Sequence, residues 1–335
     1  MASDSDIVIK KLDKISFEDS VILISGGAGF IGSAICDLLI RQNAEVVCID
    51  NLASGQEYNI RHLLGLGNFT FINQDVNLPL SFNRKIDYVM HLASRASPLE
   101  FEKFPLEILK SNTVGLLNFL EIAKKHRARL IFASTSEVYG QASQFPTPET
   151  NHGNVNSIGI RGCYDEAKRA GEAYCMAYMR QHQLDIRIAR IFNTYGPKMR
   201  GDGFYGRVIP RFIQQAIQNK PITIFGDGSQ TRSFCYITDQ VEGLLRLLFN
   251  DNARGEVVNI GYPEEITILT LAGRIQSMTN STSDIEFHPL PEDDPPRRLP
   301  DISKAEKILN WHPSIDLNKG LSKTIEYVKS YYNSS

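Results

Sequence analysis

Tyr164 and Lys168 stand four residues apart in Tyr164-Asp165-Glu166-Ala167-Lys168. On a helix this spacing puts them one turn apart on one face. A free phenol has a pKa near ~10 and is a poor base at neutral pH. A lysine ammonium beside it favours the phenolate, and a second cation would favour it further. Tyr164 is then a base able to take a proton from a hydroxyl group. The same pair also occurs on helices as a solvated lysine beside a packed tyrosine. Its meaning therefore depends on what the rest of the chain brings to it.

What the chain brings to this pair begins upstream. Val21-Ile22-Leu23-Ile24 is an apolar run that ends in Ser25-Gly26-Gly27-Ala28-Gly29-Phe30-Ile31-Gly32. An amphipathic helix is predicted from Ser33 to about Gln42, then a β-rich run from Ala44 to Ile49, closed by Asp50. Strand, glycine turn, helix, strand and acid form the pattern of a dinucleotide-binding unit. Gly26, Gly29 and Gly32 let the backbone turn tightly against a pyrophosphate, and the helix N-terminus offers free N–H donors. Asp50 is placed to accept from the adenosine ribose, and its charge would repel a 2′-phosphate, so NAD is expected over NADP. The cofactor-binding set is Gly26, Gly29, Phe30, Ile31, Gly32, Asp50, Asn51, Ser54, Gly55, Asp75, Val76, Leu92, Ala93 and Ser94, together with Tyr164 and Lys168.

The alternation continues. Strands are predicted at Phe69–Ile72, Ile86–Leu92, Arg129–Ala133 and Asp185–Ile191, with helices at Leu106–His126 and Tyr164–Gln181. Such alternation argues for α/β class, a doubly wound parallel sheet covered on both faces. Ligand chemistry belongs outside the carboxyl ends of its strands. Gly26, Asp50, Ser94, Ser136, Glu137 and Asn193 all fall at such ends. After Asn193 the rhythm changes. Tyr195–Arg207 reads as a loop, and Thr231–Ile237 and Val257–Ile260 as strands that could rejoin the sheet. Pro289–Pro300, with its prolines and acids, reads as an extended loop. A smaller, interleaved C-terminal domain is expected. The division is residues 1–192 plus about 233–262 for the dinucleotide, and about 193–232 plus 263–330 for the second ligand.

Bulk properties exclude several classes. The 335 residues carry a formal net charge of −2, with 22% charged residues, and show no basic stripe for nucleic acid. Five cysteines without a C-x-x-C point to neither a zinc site nor a disulfide framework, and no metal is expected. Met1–Ser20 is polar and lacks the apolar core of a signal peptide, and no run approaches a membrane span. A cytoplasmic protein without membrane contact is expected.

Segments 91–98, 134–140, 153–168, 190–197, 226–234 and 291–302 together resemble the extended short-chain dehydrogenase/reductase family, with its Rossmann domain and smaller substrate domain. Within it they are most similar to the branch that decarboxylates UDP-glucuronate. The resemblance implies a UDP-sugar substrate and a closed NAD cycle. Tyr164 would take the C4 hydroxyl proton, helped by Thr135, while the C4 hydride passes to NAD. The C4 ketone makes the C5 carboxylate a β-keto acid, and loss of CO₂ leaves an enolate near Ser136 and Glu137. Protonation at C5 and return of the hydride would give UDP-xylose. Lys168 would bind the nicotinamide ribose and hold the Tyr164 pKa down. Lys110, Tyr178, Asn193, Arg207, Arg232 and Arg298 are the implied substrate contacts. Arg232 would face the diphosphate as a planar fork, and Arg298 the sugar carboxylate or the protonation step. The family also implies a homodimer, formed here through Leu106–His126 and Tyr164–Gln181.

The chain departs from the family at Ala34, where a His is usual, and at Arg95, Ser157 and Ile160, where prolines are usual. Its loop at 201–206 is longer. Three other readings share much of the pattern: a UDP-glucuronate 4-epimerase, an NDP-glucose 4,6-dehydratase, and a non-catalytic NAD-binding protein. The dehydratase needs an Asp-Glu pair after the threonine to expel a hydroxyl; here the pair is Ser136-Glu137. Retention of Tyr164, Lys168, Thr135 and Glu137 together argues against the non-catalytic reading.

Overall fold

A computed structural model describes residues 4–12, 15–201, 207–291 and 293–333. The expected lengthening at 201–206 lies almost wholly outside the described residues. In chain order the elements are α1 (Asp4–Lys11), β1 (Val21–Ser25), α2 (Phe30–Arg41), β2 (Glu45–Asp50), β3 (Phe69–Asn73) and β4 (Tyr88–His91). Then come α3 (Pro98–Phe101), α4 (Pro105–Lys110), α5 (Leu116–His126), β5 (Arg129–Thr135), α6 (Gly162–His182), β6 (Ile186–Ile191) and β7 (Thr194–Tyr195). The remainder is α7 (Val208–Ile217), β8 (Ile222–Phe225), β9 (Thr231–Arg232), β10 (Cys235–Tyr236), α8 (Ile237–Phe249), β11 (Val257–Ile260), β12 (Ile266–Thr267), α9 (Ile268–Thr279), β13 (Ile285–His288), β14 (Arg297–Arg298), α10 (Ser303–Leu309) and α11 (Leu317–Asn333).

Among the described residues, seven parallel strands form one sheet in the order β11-β6-β5-β4-β1-β2-β3. The strands are apolar on both faces because helices cover both. Ile22, Leu23 and Ile24 are all fully buried, as are Leu130, Ile131 and Phe132. One face packs on α2 and α8 through Ile35, Leu39, Leu244 and Leu248, and the other on α5 through Leu116, Phe119 and Leu120. Each such side chain contributes on the order of 1.5–3 kcal/mol on burial. Chain order reverses between β1 and β4, so the strand ends open a crevice there.

Three expectations are corrected. Residues Leu106–His126 are not one helix: α4 and α5 are separated by a π-type turn at Ser111–Gly115. The buried His91 ring explains the break, since its Nε2 bonds the Ser111 carbonyl at 3.0 Å, while its Nδ1 meets the Ser25 hydroxyl at 2.9 Å. Val257–Ile260 does rejoin the main sheet, but Thr231–Ile237 does not. Its residues split between β9, in a three-stranded sheet with β12 and β14, and β10, which pairs with β7. The proline-rich 289–300 stretch contains a strand, β14. The polar N-terminal stretch holds a helix, α1, tied down by buried Val8 and Leu12 and by Lys11, which meets Glu242 at 2.7 Å and Asp239 at 3.2 Å.

Candidate active site

The glycine turn follows from two close approaches. Gly26 has φ +73°, and a Cβ there would lie 2.8 Å from the Ala93 nitrogen. A Cβ on Gly32 would lie 2.1 Å from the Gly26 carbonyl. With these positions bare, α2 starts directly over β1. Gly29 caps α2 without a side-chain bond among the described residues, and its first turn carries no acid. The open N–H groups and the dipole suit an anion such as a pyrophosphate.

Asp50 ends β2 and is buried. Its carboxylate accepts from the Ala28 nitrogen at 3.0 Å and the Leu52 nitrogen at 2.8 Å. Burial pushes its pKa up, while those two amides pull it down. Part of its capacity thus fixes the turn itself, and Gly55 is bare where a Cβ would strike its oxygens at 2.7 and 2.8 Å. Asn51 donates to Asp75 at 3.0 Å, which joins the ends of β2 and β3.

A cleft of about 1100 Å³ runs along the strand ends from this turn to β14. Every residue of the expected cofactor set lines it, as do Thr135, Ser136, Glu137, Asn193, Arg207, Arg232 and Arg298. Lys110 and Tyr178 do not. Lys110 is exposed at the end of α4. Tyr178 lies fourteen residues beyond Tyr164, about 21 Å along the helix axis at ~1.5 Å per residue, and its hydroxyl donates to Glu121 at 2.7 Å. Both are removed from the substrate-contact set.

Tyr164 and Lys168 are buried on the first turns of α6. Gly171 lets α6 lie against β5, since a Cβ there would meet the Phe132 ring at 2.5 Å. That approach drives Lys168 under the helix, where Nζ donates to the Ala133 carbonyl at 2.6 Å, and burial lowers its pKa to about 7. Nζ lies 5.8 Å from the Tyr164 ring centre. Burial pushes the Tyr164 phenol up; the Thr135 hydroxyl, hydrogen-bonded to it, and Arg207 pull it down, while Glu137 and Asp165 push it up. Phe101 of α3 stacks on the Tyr164 ring with centroids 5.2 Å apart.

Glu137 sits beside this pair, between two guanidinium groups, and bonds both Arg298 and Arg161. Burial would raise its pKa, but Arg298, Arg161 and Arg232 outweigh that and bring it to about 2. Arg232 pairs with Asp294 at 2.8 Å. Sequence reading placed Arg298 and Arg232 here but missed Arg161, Asp165 and Phe101. Only Arg161 left a signal, a lone arginine three residues before Tyr164. Arg95, one of the family departures, bonds Glu100 and lies 4.1 Å over the Phe104 ring, bracing the α3 segment. Among the described residues no cluster could hold a metal ion.

A parallel α/β sheet with a bare glycine turn on β1 and a Tyr–Lys pair beyond β5 defines the class of dinucleotide-dependent enzymes that act on a hydroxyl carbon. The chain belongs to the NAD dependent epimerase/dehydratase family, whose model matches residues 22–261. It is 48% identical over 306 residues to UDP-glucuronic acid decarboxylase 1 of Danio rerio, covering 91% of this chain and 72% of that one. Among solved structures, the epimerase Mth375 of Methanothermobacter thermautotrophicus superposes with a TM-score of 0.88 at 29% identity, over 98% of this chain and 97% of that one. UDP-glucuronic acid 4-epimerase of Bacillus cereus, solved with UDP-glucuronic acid and NAD, gives 0.83 at 31% identity, over 93% and 100%.

Proposed function

We propose that this protein binds NAD and converts UDP-glucuronate to UDP-xylose and CO₂. The bare turn at Gly26, Gly29 and Gly32 and the uncapped start of α2 fit the pyrophosphate, and Asp50 fits the adenosine ribose. When bound, NAD would supply the hydride acceptor for C4 and the donor for its return. Tyr164 takes the C4 hydroxyl proton, helped by Thr135, and Lys168 lies beneath it with Nζ on the Ala133 carbonyl. Residues 1–192 with about 233–262 hold the dinucleotide, and 193–232 with 263–330 supply groups for the UDP-sugar, Asn193, Arg207 and Arg232 among them.

The observation that carries the choice of reaction is Glu137 between Arg298 and Arg161. A carboxyl with a pKa of about 2 is ionised at neutral pH, so it is no acid for expelling a hydroxyl. That disfavours the dehydratase. Both guanidinium groups are already matched by Glu137, so a sugar carboxylate arriving here is admitted by positive charge yet not gripped in bidentate fashion. Loss of CO₂ removes one of two like charges from the site. An epimerase must retain that carboxylate and would hold it firmly. The Danio rerio relative supports the same choice.

Incubation with UDP-glucuronate in heavy water, followed by proton NMR, tests the proposal. UDP-xylose carrying deuterium at C5, without net NADH, is the expected product. UDP-galacturonate would establish the epimerase instead, and a 4-keto-6-deoxy sugar from UDP-glucose the dehydratase. The protein acts as a homodimer on this reading. Leu106, Val114 and Tyr174 leave large apolar surfaces exposed on or beside the two helices expected at that interface. No helix among the described residues is long and apolar enough to cross a membrane. All five cysteines are free, which fits a cytoplasmic setting.

A further inference from the structure

Decarboxylation of a carboxylate takes up one proton per turnover. The sugar carboxylate leaves as neutral CO₂, and a C–H bond forms at C5 in its place. The proton that Tyr164 removes from the C4 hydroxyl must go back to that oxygen when the hydride returns. A second proton source is therefore required on the C5 side. Glu137 does not supply it, because its arginine partners keep it ionised.

Behind the Arg161–Arg298 pair lies a second chamber of about 170 Å³. Arg161 and Arg298 line both it and the main cleft, so the two spaces meet at these side chains. At ~30 Å³ per water the chamber has room for a few molecules. Asp165 lines it and is 4% exposed. Its Oδ2 lies 3.8 Å from Arg161 Nε, and its Oδ1 is buried without a hydrogen-bond partner among the described residues. Asn156 and Asp293 line the chamber as well, and Asn156 donates to Asp293 at 3.0 Å.

Resting on the decarboxylase reading, we propose that Asp165 and this chamber form the proton supply for C5. Loss of CO₂ leaves the electron pair of the broken C–C bond as a C4–C5 enolate. A proton leaves the Asp165 carboxyl, passes along a chain of water from the chamber past the two guanidinium groups into the main cleft, and the last water of that chain delivers a proton to C5. The enolate pair forms the new C–H bond, and C4 becomes a ketone again. Solvent reprotonates the Asp165 carboxylate through the chamber. Asp165 thus acts through water and is a positioning and relay residue, not one that touches the sugar.

The electrostatics agree. Burial raises the Asp165 pKa to about 7, Glu137 and Glu166 raise it too, and Arg161 and Arg298 lower it. Asp293, across the chamber, and the Tyr164 hydroxyl are the other titratable groups nearby. An ordinary exposed aspartate would hold no proton at neutral pH.

Asp165→Asn keeps the shape and removes the transferable proton. The expected result is a fall in kcat for UDP-xylose of about 10²-fold, as for a lost acid catalyst, with little change in KM. CO₂ should then exceed UDP-xylose, the excess leaving as the enol, which solvent protonates at C5 to a UDP-4-keto-pentose, with an equal amount of NADH left behind. Wild-type kcat should fall as pH rises through about 7, and that limb should vanish in Asp165→Asn. Asp165→Glu should restore turnover with the limb displaced. Circular dichroism checks the fold of each variant. If Asp165→Asn does not fold, the displaced limb in Asp165→Glu carries the test. An unchanged limb in Asp165→Glu, wild-type kcat in Asp165→Asn, or CO₂ and UDP-xylose falling together without a keto product overturns the relay. A wild-type protein that makes UDP-galacturonate without CO₂ overturns the reaction assignment, and this proposal with it.

Discussion

Replacing Glu137 with Gln should make the protein both less stable and less sensitive to acid. The Glu137 carboxyl sits between Arg161 and Arg298, with only 15% of its side chain exposed, so solvent screens these pairs little. Its pKa drops from an ordinary 4.5 to about 2. At ~1.36 kcal/mol per pH unit, the ionised form contributes on the order of 3 kcal/mol to folding. The sign follows from the direction: a depressed carboxyl pKa means stability fully present above the unfolded value and lost as pH falls. The loss should run from about 4.5 down to about 2. Glu137→Gln removes that contribution at neutral pH and leaves two buried guanidinium groups without their anion, a loss of ~3–5 kcal/mol where such a pair is broken. Thermal melts of both proteins between pH 7 and pH 3 measure it. The wild type should start well above the variant and converge on it in acid. Parallel pH curves, with a constant gap or none, would show that Glu137 is not the ionised centre of the cage.

Tyr164→Phe keeps the ring that stacks on Phe101 and removes the phenolic oxygen. Its kcat should fall by at least ~10²-fold with the fold intact, and near-wild-type turnover would take Tyr164 out of the mechanism. Gly32→Ala places a methyl 2.1 Å from the Gly26 carbonyl, so the start of α2 must shift. Dinucleotide binding by titration should weaken severely, while Gly67→Ala, in open space, should bind as the wild type does. NAD should bind more tightly than NADP if Asp50, which lines the cleft at the end of β2, takes the proposed ribose role; the reverse order would overturn that role.

Local chemistry made the sheet and its glycine turn legible. Apolar runs such as Val21–Ile24 and bare turn residues such as Gly26 and Gly32 signal their own backbone needs. Leu106–His126 keeps helical apolar spacing throughout, yet the structure interrupts it at Ser111. The cause lies outside the segment, in a histidine on β4 that binds the Ser111 carbonyl. Tyr178 was misplaced for a related reason: a position inferred from family pattern says nothing about distance along α6. For Lys168, spacing gives the helix face but not depth. Gly171 sinks α6 onto β5 and sends the lysine to a carbonyl instead of toward the phenol. The cage around Glu137 depends on contacts across 24 and 161 residues of chain, which no local pattern encodes.

The register of the small sheet explains how that cage is assembled. β14 runs parallel to β9, with Arg298 opposite Arg232. Neighbouring strands in register present paired residues on the same face, so both guanidinium groups arrive as one unit. Each then meets its own carboxylate, Arg298 at Glu137 after β5 and Arg232 at Asp294 on the way into β14. Like charges opposite each other on a sheet repel, and the two acids offset that repulsion. The small sheet is thereby tied to the end of β5 by charge, a few residues from Thr135 and the base it serves. Arg161 adds the third cation from the start of α6, the helix that carries Tyr164 itself. A displacement of β14 would free Arg298, leave Glu137 with Arg161 alone, and raise the Glu137 pKa toward its ordinary value. The ionisation state that distinguishes this site from a dehydratase thus depends on how the second half of the chain sits on the first.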